Sequence, residues 1–390
     1  MANNKGVDED VFGHLLDQVR RFARERLLPA EERVEAEDDI PAEIVAEMRE
    51  LGLFGISIPE EYGGIGLNIV QEAQVVEELC YASIVFRSLI GTTVGIGSQG
   101  LVMDGTEEQK QSYLPRLATG EIIASFALTE PDVGSDAAHI RTSAQRDGTD
   151  FVINGTKRFI TNATRAGMFT LLARTDPDNP GAGGISAFLL PADTPGIRLG
   201  KPDRKMGQRG TRTCDVILDD VRLPESAIIG GPANLNKGFR TAMKVLDRGR
   251  VHVAAVATGA AQRMVDVATA YAAERRQFGV PIGQHQLVQA LLADSQTELL
   301  AARALTRAAA ELYDREGKAV MEAACAKLFT TEAAGRIADR AVQIHGGAGY
   351  MAEYAIERLY RDIRLLRIYE GTSQIQQIII ARNMLASLSS

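Results

Sequence analysis

The chain has 390 residues, 45% of them hydrophobic, and a formal net charge of −8. That length and apolar content suit a large core spread over two or three domains, and the acidic balance argues against nucleic acid as a main partner. No apolar run approaches the roughly 20 residues of a membrane-spanning helix, so no membrane insertion is expected, and Met1-Ala2-Asn3-Asn4-Lys5 lacks the basic-then-apolar pattern of a signal peptide.

Residues 9–28 place Val11, Phe12, Leu15, Val19, Phe22 and Ala23 at helical spacing, with Pro29 marking the expected end. A second helix is predicted near 41–51. The run Ile58-Pro59-Glu60-Glu61-Tyr62-Gly63-Gly64 reads as a loop, and residues 69–103 turn helical again. The pattern changes near Ile122. Strand-like runs occupy 150–160, 169–174, 185–191 and 214–218, and Asn154-Gly155 is the strongest short hairpin signal. After about residue 235 the helical period returns at 237–274, 284–315, 319–345, 352–362 and 373–386, rich enough in alanine for close helix packing. The predicted organisation is a helical domain over 1–122, a β domain over 123–234 and a helical bundle over 235–390. Cys80, Cys214 and Cys325 lie far apart and suggest neither a disulfide framework nor a metal site, so a reducing cytoplasm is expected.

Five segments carry candidate chemistry. Phe126-Ala127-Leu128-Thr129-Glu130-Pro131-Asp132-Val133-Gly134-Ser135-Asp136 reads as a strand ending in a polar turn. Phe159-Ile160-Thr161-Asn162 reads as a strand end. Arg275-Arg276-Gln277-Phe278-Gly279 is a basic helix C-terminus, and Gln343-Ile344-His345-Gly346-Gly347-Ala348-Gly349-Tyr350 a glycine-rich helix end. The last runs from Tyr369-Glu370-Gly371-Thr372-Ser373-Gln374 to Gln376, a carboxylate beside a glycine just ahead of an apolar helix. Each alone has an ordinary structural explanation. Gln343 to Tyr350 is not a GxGxxG fingerprint and follows no strand, which excludes a dinucleotide fold of the Rossmann type. His345 reads as a capping or packing residue, and His252 is read in the same way.

Together and in this order, the five segments resemble those of the acyl-CoA dehydrogenase flavoenzymes, with weaker similarity over nearly the whole chain. The resemblance implies an α+β fold: an N-terminal α-helical domain, a middle β-barrel domain and a C-terminal four-helix bundle, assembled as a homotetramer. It implies FAD as cofactor, held by Phe126, Leu128, Thr129, Ser135, Phe159, Thr161, Arg275, Gln277, Phe278, His285, Gln286, Gln343, Gly346, Gly347, Thr372 and Gln374. The family usually has tryptophan where this chain has Phe159. The segment from Arg275 to Gly279 is expected to reach the FAD diphosphate and adenosine across a subunit boundary.

By the same resemblance, Glu370 is the base that removes a proton from the acyl thioester, with Gly371 leaving room for the thioester. A buried carboxylate has a raised pKa and is a stronger base. Ser135, Asp247 and Arg250 match positions that contact the acyl-CoA substrate. The implied reaction is α,β-desaturation of a short acyl-CoA to the trans-2-enoyl-CoA, with electrons passing to an electron-transfer flavoprotein.

Arg87 stands in the stretch Ser83-Ile84-Val85-Phe86-Arg87-Ser88-Leu89-Ile90-Gly91, otherwise apolar or small. A buried guanidinium needs an anionic partner, either an internal Asp or Glu or the distal carboxylate of a substrate. Phe86-Arg87-Ser88 resembles the Tyr-Arg-Ser run of glutaryl-CoA dehydrogenases, whose arginine holds that carboxylate. This implies a dicarboxylic acyl-CoA such as glutaryl-CoA, although Ser373-Gln374 stands where those enzymes carry His-Asp. The rival readings are an acyl-CoA oxidase, a lyase such as a desulfinase on the same scaffold, and a binding protein that keeps the fold without the chemistry.

Overall fold

The computed structural model describes residues 6–386 and 388; the opening pentapeptide, Met1 to Lys5, lies outside the described residues. The chain begins with α1 (Glu9–Phe22), whose N-cap Asp8 accepts from the Asp10 N–H, with Glu9 and Asp10 in the first turn and Arg20 and Arg21 in the last. Both charge placements favour the helix dipole. Pro29 does not end this helix. A π turn (Ala23–Leu27) leads into α2 (Leu28–Glu37) and places Pro29 in its first turn, where the missing N–H matters least. The helix stops instead at Asp38, in the left-handed region.

Next come α3 (Ala42–Glu50) and α4 (Ile69–Leu79), which starts from an Asn68/Gln71 capping box. The long stretch read as 69–103 is broken after α4. Ser83 caps α5 (Ile84–Gly91), a π turn spans Thr92–Gly97, and α6 (Gln99–Asp104) and α7 (Glu107–Ala118) follow.

Seven strands form one curled sheet: β1 (Ala124–Ala127), β2 (Ser143–Asp147), β3 (Asp150–Thr161), β4 (Met168–Arg174), β5 (Ile185–Pro191), β6 (Ile197–Leu199) and β7 (Thr213–Pro224). Their order is β1-β4-β2-β3-β7-β6, with β5 paired to β4. β4 and β5 are buried along nearly their whole length, and Phe151 meets Phe188 edge to face at 5.5 Å.

Asn154-Gly155 is not a hairpin turn. It lies inside β3, where a register shift against β7 marks a bulge, and the β2–β3 turn falls at Gly148-Thr149. Gly155 is required there for space: a methyl would meet Thr142 Oγ1 at 2.6 Å. Asn154 is used sideways, exchanging hydrogen bonds of 2.9 and 2.8 Å with Asp220 of β7.

The last part holds α8 (Gly238–Glu274), the short β8 (Arg276–Gln277) and β9 (Val280–Pro281), α9 (Gln286–Glu316), α10 (Val320–His345), α11 (Ala355–Ile363) and α12 (Ser373–Ala386). α8, α9 and α10 pack on one another, and α12 packs on α10. Their seam is small and apolar, with Ala255, Ala257, Ala260, Ala261, Ala334, Ala338 and Ala341 all buried. α8 also packs against α4 and β5, so it touches all three parts of the chain. Polar groups on its buried face therefore stand where a site can draw on every part. Among the described residues no helix is long and apolar enough to cross a membrane.

Candidate active site

Glu370 lies between the end of α11 and the start of α12, with a left-handed φ of 51°. A non-glycine residue held there costs about 1–3 kcal/mol, so the surroundings must impose it. They do so through the neighbouring carbonyls. Lys327 Nζ donates to Gly371 O at 2.6 Å, and Gln376 Nε2 donates to Gly371 O at 2.9 Å and to Glu370 O at 3.2 Å.

The carboxylate itself is left open. Glu370 Oε2 is buried without a hydrogen-bond partner, and among the described residues the Glu370 N–H has no acceptor. Burial pushes the Glu370 carboxyl above the usual range, against the opposing pull of Arg87, Lys327 and Arg250. The Lys327 side chain, fully buried in the alanine face of α10, is itself pushed down to about 8 by burial. Gly249 of α8 faces the carboxylate so closely that a methyl there would run into Glu370 Oε2.

The structure thus gathers Glu370, Gly371, Arg87, Arg250 and Lys327 around one buried carboxylate. Arg250 is buried and ion-pairs with Asp247 one turn back on α8, with its Nε unpartnered; this is not a surface salt bridge. Burial raises the Asp247 pKa although Arg250 lowers it. Arg87 is 4% exposed, and among the described residues no carboxylate lies within 4.0 Å of it; its hydrogen-bond partner is His252 Nδ1 at 3.5 Å. Of the alternative of an internal Asp or Glu partner, the described residues show no direct ion pair, only the longer-range pull between Arg87 and Glu370.

Of the proposed flavin residues, Phe126, Leu128, Thr129, Ser135, Phe159 and Thr161 lie on or beside β1 and β3. Arg158 N donates to Thr129 O at 2.8 Å and Ser125 Oγ to Thr161 O at 2.7 Å, which ties the two segments together. The fully buried Lys157 reinforces this by donating to Glu130 Oε1 at 2.8 Å and Leu128 O at 3.1 Å. Phe159 is 57% exposed with a left-handed φ of 58°, and the Arg158 guanidinium lies over its ring, 4.8 Å from the centroid.

A second group stands at the far ends of α8 and α10. Arg275, Gln277 and Gln286 are exposed, Phe278 is 93% exposed, and its ring meets His285 edge to face at 5.8 Å. Gln343, Gly346 and Gly347 are exposed beside them, with His345 stacked on Tyr271 at 4.2 Å as a packing residue. Among the described residues no hydrogen bond, ion pair or ring contact joins this group to Phe159 or Thr161. Thr372 lies partly buried and Gln374 exposed at the start of α12. A flavin dinucleotide fits this donor set: His285 Nε2 is a buried polar atom without a partner, Phe159 is an exposed aromatic ring, and nothing stands within 4 Å of where a methyl would sit on Gly346 or Gly347.

Sequence reasoning missed four residues of this neighbourhood. Lys327 left a signal, a cation among Ala323, Ala324, Thr331 and Ala334 on one helix face. Gly249 was passed over within the Asp247–Arg250 run. His252 and Glu72 left none, because their contact joins residues 180 apart.

A helical part, a curled sheet and a helical bundle around a buried carboxylate define a three-domain fold with a candidate general base at its centre. The family models of the acyl-CoA dehydrogenase N-terminal, middle and C-terminal domains match residues 13–121, 125–221 and 236–385. The chain belongs to the acyl-CoA dehydrogenase family, and like that family it is an FAD-dependent oxidoreductase.

It is 44% identical over 369 residues to the probable acyl-CoA dehydrogenase YngJ of Bacillus subtilis, covering 95% of this chain and 96% of that one. It is 43% identical to the 3-(aryl)acrylate reductase of Clostridium sporogenes, covering 94% and 96%. With the human mitochondrial short-chain specific acyl-CoA dehydrogenase it shares 42%, covering 96% and 90%. Among solved structures, a chain from that of the electron transferring flavoprotein of Acidaminococcus fermentans superposes with a TM-score of 0.92 at 38% identity, covering 98% and 99%. A glutaryl-CoA dehydrogenase bound to glutaryl-CoA superposes with a TM-score of 0.91 at 34% identity, covering 98% and 96%.

Proposed function

We propose that the chain desaturates a short acyl-CoA at its α,β bond, with Glu370 as the base, and passes the electrons to an electron-transfer flavoprotein. The observation that carries this is the buried, unpartnered Glu370 Oε2 among Arg87, Arg250 and Lys327. Bound FAD supplies the acceptor for the hydride that leaves the β carbon. Glu370 takes the α proton onto Oε2, and its free backbone N–H is available to the thioester carbonyl as negative charge develops there. Asp247 and Arg250 hold the CoA part, and Ser135 and Gly371 line the thioester.

Arg87 is read as the clamp for a distal carboxylate, which makes the substrate a short dicarboxylic acyl-CoA. Its support is a nearly closed-off guanidinium with no carboxylate within 4.0 Å among the described residues, the Glu370 carboxylate being felt only at longer range. The remaining proposed cofactor residues hold FAD, those at the ends of α8 and α10 across a subunit boundary. The homotetramer this asks for is supported by exposed Phe278, Leu287 and Tyr350 in that region. With Cys80, Cys214 and Cys325 all free, a reducing cytoplasm suits the chain.

The test is the pH dependence of anaerobic flavin reduction. Glu370 acts only when ionised, and its raised pKa means that kcat/KM falls as pH drops through a value above the ordinary carboxylate pKa. Lys327 stabilises the ionised form, so Lys327→Met should move that acidic limb to higher pH. A limb that stays in place, or moves down, would sink the electrostatic account of the base.

A further inference from the structure

The one polar partner of Arg87 among the described residues is a histidine, and the contact fixes more than a distance. A guanidinium only donates, so His252 Nδ1, 3.5 Å from Arg87 Nη2, must offer its lone pair. The ring proton is then on Nε2, which donates to Glu72 Oε2 at 2.7 Å. The other Glu72 oxygen is taken by Arg248, whose Nη1 also donates to Val94 O at 3.2 Å. The carboxylate is therefore occupied at both oxygens. All four side chains are buried, His252 completely, and burial pushes its pKa down to about 4, so it is neutral at ordinary pH.

A neutral acceptor does what a carboxylate could not. It orients Arg87 without a carboxylate in contact with the guanidinium, and Nε is left without a hydrogen-bond partner. An acid in its place would compete with a ligand anion for the guanidinium. The helix itself supports the pose: a methyl at Gly91 would meet Arg87 Nη1 at 2.7 Å, so the guanidinium lies against its own backbone.

We propose that His252 is the positioning residue that holds Arg87 ready for a substrate carboxylate, with Glu72 and Arg248 fixing its tautomer, and that it thereby sets selectivity for dicarboxylic over monocarboxylic acyl thioesters. This rests on the reading of Arg87 as a carboxylate clamp.

Two variants of the holoenzyme separate the contacts of the ring. His252→Asn keeps an acceptor near the position of Nδ1, toward Arg87. His252→Gln keeps a donor toward Glu72 and loses that acceptor. His252→Gln should raise KM for glutaryl-CoA about tenfold, with kcat and the KM for butyryl-CoA within about twofold, while His252→Asn should retain most of the preference. Asn and Gln variants that behave alike, or a shift shared by both thioesters, would overturn the proposal. Arg87→Ala run alongside distinguishes the two ideas. A selective loss there without one in His252→Gln removes only the positioning role. An equal effect on both thioesters, or a wild-type enzyme that ignores glutaryl-CoA, removes the clamp and this inference with it.

Discussion

Glu370→Gln should retain its FAD and lose its chemistry. Glutamine keeps the size of the side chain but cannot take a proton, and the loss of a positioned general base costs about 10²–10⁴-fold in rate. The effect should appear in the rate of flavin reduction by an acyl-CoA, with flavin content unchanged. The site is built around this one group. Lys327 and Gln376 hold the carbonyls on either side of the left-handed turn, Gly249 clears space for Oε2, and burial raises the basicity of the carboxylate. None of these contacts touches the carboxylate itself, so the substitution should leave the loop in place. A Gln variant that reduces its flavin within about tenfold of the wild-type rate would place the base elsewhere.

Arg87→Ala should separate two substrates. Removing one partner of a buried charge pair costs about 2–5 kcal/mol, which corresponds to a rise of at least about 30-fold in the KM for glutaryl-CoA. Butyryl-CoA has no distal charge. For it, the wild-type guanidinium remains buried with no carboxylate in contact, and its removal should leave KM unchanged or lower it. The comparison is internal to one protein, so a general loss of folding or flavin would show as an equal effect on both thioesters. That equal effect would make Arg87 a structural residue.

The order of helices and strands was legible because the long elements bury one face each. α8, α9 and α10 follow the spacing of their apolar residues, and β4 and β5 read as continuous apolar runs because both of their faces are covered. Elements whose stability comes from neighbours were not legible. β2 ends in Gln145, Arg146 and Asp147, all exposed, and forms because β3 lies beside it. β6 is three residues held on β7. Pro29 and Asn154-Gly155 misled for a shared reason: a local breaker was absorbed, once by a π turn and once by a strand bulge.

At the site, Glu370, Gly371 and the flavin-segment residues stood out through their motifs. The burial of the Glu370 carboxylate and the unpartnered state of Oε2 depend on α8 and α10 arriving from far along the chain. Arg87 was visible as a charge in an apolar stretch. The histidine that orients it was not, since Glu72 and His252 meet only when α4 packs on α8.

The most direct measurement is an anaerobic titration of the FAD-loaded wild-type enzyme with butyryl-CoA and glutaryl-CoA, following the visible absorbance of the flavin and the thioester product. The account predicts bleaching with formation of the trans-2-enoyl thioester, strongest with glutaryl-CoA, and recovery of the absorbance when electron-transfer flavoprotein is added. A flavin that stays oxidised with both thioesters, or product that forms without any electron acceptor being reduced, would contradict it.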